Sequence, residues 1–105
     1  MTTARVIFQV RLTDDAQQDL DRLYGYLLQV DVHAAQRALE SIEAAFHLLA
    51  YSPFSCRKAT LQKSPLWREL LIPFGHSGYV ALSEIEDSRT VTICAVRHQR
   101  EEDYH

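Results

Sequence analysis

Residues 66–96 read LWRELLIPFGHSGYVALSEIEDSRTVTICAV, and this stretch decides the fold. It holds three apolar segments: Leu66 to Phe74, Tyr79 to Ile85 and Thr90 to Val96. Gly75-His76-Ser77-Gly78 separates the first pair, and Glu86-Asp87-Ser88-Arg89 separates the second. Connectors this short are too brief for a crossover, so neighbouring segments must run antiparallel, and the stretch predicts a three-stranded meander.

Upstream, the apolar period changes. Val6, Phe8, Val10 and Leu12 alternate with Arg5, Gln9 and Arg11, which predicts a strand; Ile7 interrupts its polar face. Thr13 then stands where a helix N-cap is expected, with Asp14 and Asp15 in the first turn, near the positive end of the helix dipole. Ala16, Leu20, Leu23 and Leu27 follow at helical spacing. Asp31 is a second N-cap position, and after it Ala35, Leu39, Ile42, Phe46 and Leu49 form an amphipathic stripe. Leu39, Ile42, Phe46 and Leu49 are therefore expected to face the sheet. Ser52-Pro53 ends this helix, because the residue before proline avoids helical geometry. Two helices joined by so short a connection fold back as a hairpin. Residues 53–65 read as a polar loop. The order β-α-α-β-β-β gives a single α+β domain over residues 1–105, with a helical hairpin packed on an antiparallel sheet.

Composition narrows the function. At 105 residues the chain can bury a core without disulfides or metal. Its 47% hydrophobic and 24% charged residues are those of a folded domain. The formal net charge of −3 speaks against gripping nucleic acid by bulk charge. Residues 1–52 hold four Lys/Arg against seven acids, and residues 53–105 hold seven against seven, so the front half is acidic and the back half neutral. The N-terminal residues lack a signal pattern, and no apolar run approaches a membrane span. Cys56 and Cys94 form no CxxC and are expected to be reduced thiols. A cytoplasmic protein that does not bind membranes is expected.

Several segments carry a resemblance to a known superfamily. These are Leu12-Thr13-Asp14-Asp15-Ala16 with Asp19-Leu20 a turn later, Trp67-Arg68-Glu69-Leu70, Ile72-Pro73-Phe74-Gly75, Gly78-Tyr79-Val80-Ala81-Leu82, and residues 95–104. In that order and spacing the chain resembles, over essentially its whole length, the RelE/ParE toxins of bacterial type II toxin–antitoxin systems. Residues 95–104 look like the ParE, or plasmid-stabilisation, branch. The resemblance implies a growth-arresting toxin silenced by a cognate antitoxin, with no cofactor. ParE-like toxins are described as non-hydrolytic DNA gyrase poisons; RelE-like toxins are endoribonucleases that cut mRNA on the ribosome. In the RNA-cleaving branch an arginine commonly follows the Gly-Tyr that opens the middle meander strand, and here Val80 stands there. The gyrase inhibitor is therefore the expected function, and the ribosome-dependent nuclease the alternative. A third possibility is a toxin-like chain that binds an antitoxin and poisons nothing.

Arg97, His98, Arg100, Tyr104 and His105 form the densest group of anion-binding and proton-transfer side chains and are the candidate target contacts. The bland reading of the same residues is a solvated terminus paired with Glu101, Glu102 and Asp103. Under the nuclease alternative, Arg68, His98, Arg100 and Tyr104 would carry the chemistry. Arg68 is otherwise expected to pair with Glu84 across the strands. His33 and His47 read as surface and boundary histidines, His76 as a turn residue and Cys94 as core. His98, Asp103 and His105 match no standard metal spacing.

Overall fold

A computed structural model describes residues 7–59, 64–75 and 77–99. The elements are β1 (Gln9–Leu12), α1 (Asp14–Val30), α2 (Val32–Tyr51), a 3-10 turn (Pro53–Ser55), β2 (Arg57–Lys58), β3 (Trp67–Phe74), β4 (Ser77–Ile85) and β5 (Thr90–His98). The strands form one sheet in the order β1-β5-β4-β3-β2, with both helices on one face.

The meander forms as the sequence predicts: β3, β4 and β5 pair antiparallel in succession. Two features of the sheet differ from expectation. It is mixed, because β1 lies parallel to β5, from Gln9 opposite Thr90 to Leu12 opposite Ile93. No hairpin sets the direction of β1; the helical crossover does, and that information is absent from the strand itself. The polar segment after α2 also contributes a two-residue strand, in which Arg57 and Lys58 pair with Glu69 and Arg68. The first strand is shorter than its alternation suggests. The Phe8 N–H turns to the Ala50 carbonyl at the end of α2, at 2.7 Å, and so leaves the ladder.

Local chemistry sets the helices. The Thr13 hydroxyl accepts the Ala16 N–H at 3.1 Å and caps α1. The Asp31 carboxylate accepts the N–H groups of His33 and Ala34, while its own N–H bonds to the Leu27 carbonyl. One residue thus closes α1 and opens α2, so the connection is tighter than the sequence suggests. The buried stripe of α2 is Ala35, Ala38, Ile42, Ala45 and Leu49. Ile42 and Leu49 face the sheet as expected. Phe46 is only half-buried against the core, and Leu39, at 38% exposure, lines a small crevice between the helices. Alanines take the closest positions because a small side chain lets the helix approach the sheet.

The core lies between this helical layer and one face of the sheet, where Ile72, Tyr79, Ala81, Ile85, Val91, Ile93 and Val96 are buried. A β-bulge interrupts the β4–β5 ladder: Ser83 opposes Ile93, but Leu82 opposes Ala95, so Cys94 is the extra residue. Beyond it the facing of β5 is reversed. Val91, Ile93, Val96 and His98 share the helix-covered face, and Arg97 points to the opposite one, with Val80 as its cross-strand partner. Cys94 is consequently half-buried and not a core residue.

Candidate functional site

The end of the sheet where β3 turns into β4 and β5 terminates gathers the polar groups nearest the candidate tail. Tyr79 opposes His98 in the ladder, and their rings meet edge to face with centroids 5.7 Å apart. Phe74 stacks on Tyr79 at 5.9 Å. The His98 Nε2 lies 3.1 Å from the Ser77 hydroxyl oxygen. Burial pushes the Tyr79 phenol above its ordinary range. The hairpin that builds this end requires Gly78, whose φ is +140° and whose Cα faces the Ile72 carbonyl oxygen and the Phe74 N–H with no room for a β-carbon.

Among the described residues, the remaining sequence candidates do not join this cluster. Arg68 is not paired with Glu84, which opposes Trp67 instead. Arg68 shares the helix-covered face with Ser83, and its guanidinium donates to three carbonyls: Pro65 at 2.8 Å, Phe54 at 2.9 Å and Cys56 at 3.0 Å. It also lies 5.3 Å from the Phe54 ring centroid. The reason is positional: the 3-10 turn presents its outward carbonyls over β3, and a planar donor fork satisfies several at once. Arg68 opposes Ser83 and His98 opposes Tyr79, so the two are four residues, or roughly 13 Å, apart along β4. Arg97 is exposed on the far face. Val80, in the position of the missing arginine, is 4% exposed. Arg100, Tyr104, His105 and His76 lie outside the described residues. His33 is exposed, and His47 is exposed with its ring edge-on to Tyr51. Among the described residues no three His, Cys, Asp or Glu side chains converge as metal ligands would.

Three contributors were not legible beforehand. Ser77 read as a turn residue, and only the register brings it to His98. Thr13 caps the first helix and Asp19 lies in it, yet both bind β5. The Thr13 hydroxyl donates to the Cys94 carbonyl at 3.2 Å, and the Val96 N–H donates to Asp19 Oδ2 at 2.9 Å. Elsewhere, an apolar groove of about 420 Å³ runs between Leu48, Leu49, Cys56, Leu70 and Leu71. It flanks β3 beyond Arg68 and Glu69, the last residues that β2 pairs. Burial raises the Cys56 thiol, partly offset by the nearby Arg68 guanidinium.

A family profile described as the ParE toxin of the type II toxin–antitoxin system parDE matches residues 10–103, nearly the whole chain. The chain belongs to the ParE toxin family. Among curated relatives, Toxin RelE1 of Caulobacter vibrioides is 37% identical over 73 residues, covering 70% of this chain and 74% of that protein. Two solved structures share the fold. One is the chromosomal ParDE system of P. aeruginosa, with a TM-score of 0.65 at 17% identity, covering 88% of this chain and 96% of that one. The other is the RelBE2 toxin–antitoxin complex of Mycobacterium tuberculosis, with a TM-score of 0.59 at 25% identity, covering 91% and 95%. ParE-family membership accounts for the helical hairpin on a mixed sheet and makes this chain a toxin of the type II toxin–antitoxin class. No helix among the described residues is long and apolar enough to cross a membrane.

Proposed function

We propose that this ParE-family toxin arrests growth by binding DNA gyrase, without hydrolytic chemistry, and that a cognate antitoxin silences it. The observation that carries the choice of mechanism is the separation of Arg68 from His98. RNA cleavage through 2′-hydroxyl attack needs a base, an acid and a cation around one phosphate. Arg68 is held at the other end of β4 with its guanidinium bound to three carbonyls. The buried Val80 supplies no cation in its place. A binding mechanism needs only an accessible surface, and the exposed Arg97 offers one. Supporting an antitoxin partner are the two structural neighbours, both toxin–antitoxin systems, and exposed apolar side chains such as Leu48, Tyr26 and Val30.

A second reading, a ribosome-dependent mRNA endoribonuclease, draws on one feature of the site and on the name of the relative RelE1. The Ser77–His98 contact leaves an imidazole at the sheet terminus, where Arg100 and Tyr104 could join it. The two readings separate in one experiment: express the chain alone and compare chromosome breakage with mRNA integrity in the same cells. Gyrase poisoning gives filamentation and broken DNA with translated mRNA intact. Removing residues 100–105, which keeps the Tyr79–His98 pair, should abolish arrest while the protein still folds. Site-specific cuts in ribosome-bound mRNA, lost on joint replacement of His98 and Tyr104, would make the nuclease correct.

A further inference from the structure

We infer that Asp19 and Thr13 are positioning residues that hold the Cys94 bulge of β5 and so decide which face of the sheet carries Arg97 and which carries His98. The inference rests on the proposed role of that end of the sheet in target contact. It starts from an edge. β1 covers the outer edge of β5 only as far as Leu12 opposite Ile93. Past that point β5 has no strand neighbour on that side among the described residues, and Thr13, the N-cap of α1, and the Asp19 side chain take its backbone groups.

Thr13 binds two successive carbonyls. Its N–H donates to the Ile93 oxygen at 3.0 Å and its hydroxyl to the Cys94 oxygen at 3.2 Å. In a regular strand successive carbonyls point to opposite edges; both point the same way here because Cys94 is the bulged residue. Thr13 therefore binds the bulge itself and not merely a strand edge. Asp19, on the same helix, accepts the Val96 N–H on the far side of the bulge.

The alternative these contacts oppose is concrete. If the ladder continued without a bulge from Ser83 opposite Ile93, then Val80 would oppose Val96 and Tyr79 would oppose Arg97. The guanidinium would enter the helix-covered face beside Tyr79 and Phe74, Val96 would leave the core, and His98 would lose its place against Tyr79. One residue of slip thus exchanges the faces of Val96, Arg97 and His98. Hydrophobic burial of Val96 opposes that slip from the core side, and Asp19 and Thr13 oppose it from the edge.

The test uses the full chain and four variants: Asp19→Ala, Asp19→Asn, Thr13→Val and Thr13→Ser. In Asp19→Ala the Val96 amide should exchange roughly ten- to a hundredfold faster, the loss expected for one orphaned backbone donor. The Tyr79–His98 ring-to-ring cross-peak should weaken, and growth arrest should fall with it. Asp19→Asn keeps an acceptor oxygen and should restore all three, and Thr13→Ser should likewise match wild type. If Asp19→Ala does not fold, Thr13→Val decides by the same cross-peak. Unchanged Val96 protection and an unchanged Tyr79–His98 cross-peak in both Asp19→Ala and Thr13→Val would overturn the inference. Altered register signals with undiminished arrest would uphold the positioning role and instead refute this end of the sheet as the target contact.

Discussion

Arg68 illustrates how a residue's role follows from what its side chain reaches. Its position in the sequence suggests either a cross-strand partner for Glu84 or a catalytic cation. In the fold it ties β3 to the Pro53–Ser55 turn and the residue after it through the Phe54 and Cys56 carbonyls and the Phe54 ring, and to the segment before β3 through the Pro65 carbonyl. Arg68→Ala should therefore destabilise the protein by about 1–2 kcal/mol, since three charge-assisted bonds, one of them part-buried, are lost. Arg68→Lys should recover little, because a single ammonium cannot reproduce the fork. Glu84→Ala should stay within about 0.5 kcal/mol of wild type. Urea unfolding of the three variants checks this; equal losses in Arg68→Ala and Glu84→Ala would restore the ion pair.

At the scale of elements, the β3–β4 hairpin and α2 make separate predictions. Gly78 combines a left-handed backbone with a β-carbon position blocked by the Ile72 carbonyl. Gly78→Ala should cost about 2–4 kcal/mol, combining the strain of that conformation with the clash. At Gly75, with φ of +62° and open space around it, Gly75→Asn should be nearly neutral. The contrast is measured by thermal melting, and similar losses at both positions would refute it. On α2, Leu49 is fully buried while Phe46 is only half so. Leu49→Ala should cost about 2–5 kcal/mol and Phe46→Ala distinctly less than the about 3–5 expected of a fully buried ring. A larger loss at Phe46 would mean that the alanine-centred stripe is not the packing face.

For the whole molecule, burial raises the titration of three groups at once: Cys56, Cys94 and Tyr79. Each holds its proton more tightly folded than unfolded. Their contribution to stability is therefore fully present below the ordinary thiol and phenol range and lost as pH rises from there through the raised range of the folded groups. Denaturation midpoints measured from neutral to strongly alkaline pH should fall through that range. Replacing both cysteines by serine should remove the earlier part of the decline, and a midpoint that rises instead would contradict the sign. The antitoxin acts at the same scale. A partner that binds only the folded toxin should raise its stability by about 2.7 kcal/mol at a hundredfold excess over the Kd. Identical melting with and without a co-expressed candidate antitoxin would count against the proposed partnership.

The sequence by itself determined the two helices, the first strand and the meander, in their order, because period, capping chemistry and short connectors are local; the short β2 and the turn before it carry no such pattern and read as loop. Thr13 and Asp31 cap their helices, Pro53 follows the second, and the two polar connectors force the meander. Ile42 and Leu49 were legible as core for the same reason. Tertiary structure alone decided the parallel placement of β1, the tie between Arg68 and the turn, the Ser77–His98 contact and the facing of Arg97. Each depends on register or crossover between segments far apart in the chain, down to a single extra residue at Cys94 that reverses which side chains the end of β5 presents. No local pattern encodes the partners of that bulge, which lie some eighty positions earlier: the Thr13 hydroxyl binds the Cys94 carbonyl, and Asp19 accepts the Val96 N–H beyond it.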